Sequence, residues 1–174
     1  MTITLAAENP LSADVRRLIA QLNATLLALT PAEYCSHMTV AQMAGPDTTV
    51  FVAREQGAAV ACGALRRHAG GVGEVKRMYT EPAYQSRGIG ARILGEIEAL
   101  AQREGLQRLV LETGHRHPAA WRLYERAGFT RCTPVLDYPS SPYSVFYAKT
   151  MGQTMGQTIG QDAKAQAPSR DRLA

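Results

Sequence analysis

GEVKRMYTEPAYQSRGIGARILGEIEALAQREGLQRLVLET, residues 73–113, reads as strand, glycine-rich turn, helix and strand. The turn Gln85-Ser86-Arg87-Gly88-Ile89-Gly90-Ala91 supplies what an anionic ligand needs at a helix start. Gly88 and Gly90 permit positive φ and close backbone approach. The helix that follows aims unpaired N–H groups and a positive dipole end back at the turn. Arg87 adds a fixed cation able to form a forked pair with phosphate. The stretch is therefore expected to hold a pyrophosphate.

Working outward, Val72–Thr80 is the expected first strand of this unit and Leu106–Glu112 the second. The helix between them, Gly88–Glu104, stripes Ile89, Ile93, Leu94, Ile97, Leu100 and Ala101 along one side, with Gly105 at its C-terminal end. A strand–helix–strand crossover of this length is right-handed, so the two strands are expected to run parallel. Upstream, Thr49–Arg54 and Ala58–Arg66 flank Gln56-Gly57 and form a hairpin; Ala69-Gly70-Gly71 then turns into the central strand. Further upstream stand a weak strand Ile3–Ala7, a helix Val15–Leu29 capped by Ser12 or Asp14, and a short helix around Thr39–Ala44. Downstream, a helix opens at Pro118 and ends at Gly128, a strand covers Phe129–Leu136, residues 137–142 form a loop, and Tyr143–Thr150 is the last strand. The folded domain is expected at 2–150. Residues 151–174, with Met-Gly-Gln-Thr twice and then Ile-Gly-Gln-Asp, have too little apolar surface to offset ordering entropy and are expected to be disordered.

The chain has 174 residues, 45% of them hydrophobic and 20% charged, which is the composition of an ordinary globular domain. A net charge of +4 without a block of like charges favours a small anionic ligand or simple solubility over nucleic acid. Three cysteines, Cys35, Cys62 and Cys132, have neither zinc nor disulfide spacing. With no membrane-length apolar run and no leader pattern at the start, a cytoplasmic, membrane-free setting is the expectation. His115 and His117, separated by one residue and without matching acids, do not make a metal site.

Two readings of the glycine turn fail on spacing. A dinucleotide fingerprint requires a third glycine where Ile93 stands, and the lead-in from the strand is too long. A phosphate-loop NTPase requires Gly-Lys-Ser/Thr, which is absent. Gln85, Gly88 and Gly90 instead fit Q/R-x-x-G-x-G/A. Together with Lys76 to Pro82 (KRMYTEP) and Leu123 to Phe129 (LYERAGF), they make residues 2–150 resemble the Gcn5-related N-acetyltransferase (GNAT) superfamily, in its bacterial small-molecule branch.

That resemblance implies an α/β acyl-CoA N-acyltransferase fold: a mixed, mostly antiparallel sheet with one splayed parallel pair, flanked by helices. It implies acetyl-CoA as donor, no metal, and a small-molecule primary amine attacking the thioester directly in a ternary complex. Protein acetylation and a CoA-binding regulatory module without turnover are the alternatives, and many relatives are dimers, so a homodimer is admitted. Backbone amides from Arg87 through Gly88, Ile89 and Gly90 to Ala91 would bind the pyrophosphate, with Gln85 and Ser86 also at the cofactor. Met78, Tyr79 and Thr80 would pair with the pantetheine arm as with an added strand. His117, where the family commonly has Asn, would contact that arm.

Tyr124 matches the tyrosine serving the departing thiolate; packing on a helix face is the alternative. Glu74 is the expected general base, with a pKa raised by burial, against a surface carboxylate paired with Lys76 or Arg66. Glu112 is the second candidate. Tyr34, His37, Trp121, Tyr138 and Tyr143 are candidates for an acceptor pocket. Arg66, Arg67 and His68 are expected to form a solvated strand end or to attract an acidic acceptor.

Overall fold

The computed structural model describes residues 2–34 and 38–152. Seven strands form one sheet: β1 (Ile3–Ala7), β2 (Thr48–Glu55), β3 (Ala58–His68), β4 (Val72–Thr80), β5 (Arg108–Gly114), β6 (Thr130–Cys132) and β7 (Ser144–Thr150). Their order is β1-β2-β3-β4-β5-β7-β6, and β4–β5 is the parallel pair among antiparallel neighbours. Four helices flank it: α1 (Ala13–Leu29), α2 (Val40–Met43), α3 (Ile89–Arg103) and α4 (Pro118–Arg126).

Alternation along β2 divides the core between the two faces, since successive side chains point oppositely. Val50 and Val52 pack with Val15, Leu18, Ile19 and Leu22 of α1. Phe51 and Ala53 join the cluster built on Ile89, Ile93, Leu94 and Ile97 of α3. Ser12 is the N-cap of α1, its hydroxyl accepting from the Val15 N–H at 3.3 Å. Thr39 and Gln42 cap α2 reciprocally.

Two features of β4 shape the molecule. Its ladder with β5 has three rungs, Val72–Arg108, Gly73–Leu109 and Glu74–Val110. Beyond them β4 stays with β3 while β5 follows β7, so the parallel strands open into a V. Against β3, Cys62 faces Tyr79 and Ala64 faces Lys76, leaving Arg77 and Met78 opposite Gly63. This is a β-bulge, and Arg77 sits in it at φ 57°. Gly63 is required there. A Cβ on it would lie 2.4 Å from the Met78 sulfur and 2.7 Å from Ile93 Cγ2.

Two expected boundaries move. The strand expected over Phe129–Leu136 keeps only Thr130–Cys132, because Pro134 has no N–H for the ladder and Leu136 turns to φ 52°. Met151, expected in the tail, is buried in the core and donates its N–H to Gln107 O at 2.8 Å. The disorder expected beyond it falls on residues 153–174, outside the described residues.

Candidate active site

The V between β4 and β5 opens into a cleft of about 800 Å³. Every residue expected to hold the cofactor lines it except Arg87, and so do Glu74, Glu112 and Tyr124. Gly88 is the N-cap of α3 at φ 74°, with no side chain closing the helix end. The first helical return bond runs from Arg92 N to Gly88 O, so the N–H groups before it remain available to an anion. Nothing lies within 4 Å of a Cβ built on Gly88. Ser86, at φ 60°, turns the chain into this cradle. The Gln85 Nε2 donates to Thr80 O at 3.2 Å, tying the turn to the end of β4.

The Arg87 side chain is engaged by a neighbouring strand. Its guanidinium pairs with Glu55 at 2.5 Å and lies over the Tyr84 ring, 5.3 Å from its centroid, outside the cleft lining. Two cations not foreseen stand on the cleft wall instead. Arg122 and Arg126 are four residues apart on α4, exposed, with no ion pair to a described residue. Their i, i+4 spacing was the sequence signal for them.

The pKa of Glu74 comes out lowered where burial was expected to raise it. Burial works to raise the Glu74 pKa, but Lys76, Tyr138 and His68 together hold it below the ordinary value. Its oxygens accept from Tyr138 Oη at 2.7 Å and Lys76 Nζ at 3.0 Å and meet His68 Nε2 at 2.9 Å. A carboxylate so occupied is a poor proton acceptor. The pKa of Glu112 is raised, chiefly by burial, against a Ser144 hydrogen bond and the Lys76 charge that lower it. Tyr124 is 5% exposed, and desolvation first, then the Glu112 charge, raise its pKa. The Tyr124 ring packs edge-on to Phe129, and no described residue hydrogen-bonds its hydroxyl. Burial and the neighbouring His115 push the His117 pKa down, so the imidazole is neutral at pH 7; its Nε2 is buried without a partner.

The expected acceptor aromatics divide. Tyr34 and Tyr143 line the cleft with ring centroids 4.7 Å apart. Trp121 turns away, donating Nε1 to Gly114 O at 3.1 Å beneath Arg131. Tyr138 lines a second cavity of about 440 Å³ behind Glu74, and His37 lies outside the described residues. The basic strand end is not free. Arg66 pairs with Asp47, Arg67 with Glu104 and His68 with Glu74. Among the described residues no cluster of His, Cys, Asp or Glu could hold a metal ion, and no helix is long and apolar enough to cross a membrane.

The Acetyltransferase (GNAT) family profile matches residues 19–129, which include the cradle, the V and Tyr124. The chain belongs to the GNAT family. It is an acetyl-CoA-dependent acyltransferase, as its relatives in that family agree. A protein of Azospirillum brasilense named IAA acetyltransferase is 39% identical over 150 residues, covering 86% of this chain and 98% of its own. The N-acetyltransferase YsnE of Bacillus subtilis is 33% identical over 141 residues, covering 78% and 93%. A crystal structure from Klebsiella pneumoniae described as an acyl-CoA N-acyltransferase superposes with a TM-score of 0.74 at 31% identity, covering 86% of this chain and 98% of that one. The fold also matches the PaiA N-acetyltransferase of Thermoplasma acidophilum in complex with coenzyme A, with a TM-score of 0.68 at 17% identity and coverage of 86% and 99%.

Proposed function

We propose that this GNAT enzyme moves the acetyl group of acetyl-CoA to a primary amine of a small molecule, by direct attack within a ternary complex. One observation carries the reading: an open helix N-terminus on one side of the V, with Glu112 and an unpaired Tyr124 hydroxyl on its other walls. The relative named IAA acetyltransferase supports a small-molecule acceptor.

In this reading Ser86 and the N–H groups of Gly88, Ile89, Gly90 and Ala91 hold the pyrophosphate, with Arg122 and Arg126 supplying the charge that Arg87 does not. Met78 to Thr80 offer the free edge of β4 to the pantetheine amides, as in strand addition. His117, neutral and with Nε2 unpartnered, hydrogen-bonds the same arm. Glu112 takes a proton from the incoming ammonium, directly or through one water. The freed nitrogen attacks the thioester carbon, the C–S bond breaks, sulfur leaves as thiolate, and the second proton that nitrogen sheds on becoming an amide passes to solvent water. A thiol has a pKa of about 8.5, well below that of the Tyr124 phenol, so Tyr124 stabilises the thiolate by donating a hydrogen bond while keeping its proton. Glu74 acts as a fixed anion that orients Lys76 and Tyr138 beside the acceptor end.

Free-thiol release from acetyl-CoA, measured across a library of small amines, tests the reading. Release that depends on an amine is the expected result. CoA binding without amine-dependent release replaces the enzyme reading with a regulatory module, and acetylation of peptides alone replaces the small acceptor with a protein.

A further inference from the structure

One buried cation in the cleft has no counter-charge among the described residues. Lys76 pairs with Glu74, Arg66 with Asp47 and Arg17 with Glu81, but no Asp or Glu among the described residues pairs with Arg77. Arg77 is 9% exposed, and desolvation drives its pKa down, against a small opposing effect of Cys62. Nη2 donates to Asn23 Oδ1 of α1, Nε is buried with no partner, and Nη1 carries no hydrogen bond to a described residue where Arg77 lines the cleft. A guanidinium enclosed this far and left half satisfied is unfavourable unless something supplies an anion. The bulge makes the placement deliberate: with φ at 57°, Arg77 leaves the regular alternation of β4.

The anion is not a phosphate of CoA in this arrangement, because the helix cradle lies beyond the far end of β4, past Thr80. The lining of the same cleft also includes Leu22, Thr25 and Leu26 of α1, and Tyr34, Tyr143 and Ser144. Those walls are apolar and aromatic, with single hydroxyls.

We infer that the acceptor amine bears a carboxylate received by Arg77, and an apolar or aromatic body lying against Tyr34 and Tyr143. The substrate class is then an amino acid or a related amino-carboxylate. The inference rests on the amine-acceptor reading above and adds the second functional group. Nη1, which carries no hydrogen bond to a described residue, is the donor left to receive that carboxylate by a charge-assisted hydrogen bond.

Phenylacetate and phenylacetamide, alike in shape and different in charge, are the probes. Each is titrated into the full chain in saturating CoA with melting temperature as readout, then assayed as a competitor of acetyl transfer. The carboxylate is expected to bind roughly tenfold or more tightly than the amide, the scale of a charge-assisted hydrogen bond. Arg77→Gln should erase that preference and Arg77→Lys should restore part of it. The rise in Tm that CoA gives reports that each variant is folded; if neither folds, the wild-type comparison decides alone. Equal binding of the two probes, no binding of either, or a carboxylate preference that survives in folded Arg77→Gln overturns the inference. Turnover on neutral amines with amino acids refused also overturns it while leaving the acetyltransferase reading intact. Arg77-dependent carboxylate binding with no amine acetylated does the reverse.

Discussion

The two halves of the cleft are built by different means. The cofactor half is made of consecutive residues: a turn, Gly88 at φ 74°, and the open end of α3 supply main-chain donors that no packing has to assemble. The half proposed for the acceptor is made of side chains from distant segments, with Arg77 on β4, Asn23 on α1, Glu112 on β5 and Tyr143 before β7. Main-chain donors are insensitive to side-chain identity, whereas a half assembled from side chains depends on what each one meets. Glu74 and Glu112 make the point. Both line the cleft, yet Glu74 has three partners and a lowered pKa while Glu112 has a raised one.

The largest effect expected from that contrast is at Glu112. Glu112→Gln should lower kcat/KM by about 10²–10⁴-fold, the range for loss of a general base, with CoA affinity little changed. In the wild type, kcat/KM should rise with pH on a limb whose midpoint lies above the 4.5 of an ordinary glutamate, because the base works only when deprotonated. A full rate in Glu112→Gln would leave water as the proton acceptor.

Tyr124→Phe comes next. Loss of a hydrogen bond to a developing thiolate is worth about 1.5–3 kcal/mol, so turnover at pH 7–8 should fall roughly 10–100-fold. CoA affinity, read by titration calorimetry, should stay within about twofold, since the cradle is main chain.

The cofactor half gives smaller effects, and they distinguish its arginines. Arg122→Ala combined with Arg126→Ala should weaken CoA binding by roughly tenfold, and less at high salt, as exposed phosphate contacts do. Arg87→Ala should change it by less than about threefold, because Glu55 already engages that guanidinium. The reverse ranking would return Arg87 to the phosphate.

The smallest effect expected is on stability. Glu74, with its folded pKa lowered, stabilises the fold above its unfolded value of 4.5, and that contribution is lost as pH falls through the folded pKa. Glu112, with its pKa raised, acts in the opposite sense: its contribution is full below 4.5 and fades as pH rises through the folded value. Thermal melts across acidic pH should therefore show a loss of Tm on the acid side that Glu74→Gln flattens. The neutral-pH difference should be about 1 kcal/mol, as for one hydrogen bond. An unchanged acid limb in that variant would place the titrating group elsewhere.

Legibility followed the same division. The glycine turn, the α3 stripe and the parallel crossover could be read because period, spacing and turn chemistry are local. Arg77 could not, since KRMYT reads as an ordinary strand. The bulge appears only when β3 sets Gly63 against two residues of β4. The pairing of the Arg87 side chain with Glu55 could not be read either, since β2 brings Glu55 to it from 32 residues upstream. Trp121 and Tyr124, three apart on α4, face different surroundings because the β5–α4 connection gives Trp121 a carbonyl to bond. The overlong Phe129–Leu136 strand was a missed signal within the sequence itself, Pro134.

By itself, then, the sequence determined the order of elements, the family resemblance and the anion cradle, all of which depend on residues near one another in the chain. Tertiary structure alone decided which carboxylate has its pKa lowered and which has it raised, and which arginine meets Glu55 and which has no acidic partner among the described residues. The physical reason is that burial and charge pairing belong to the neighbours a side chain acquires on folding, and those neighbours come from β2, α1 and β7.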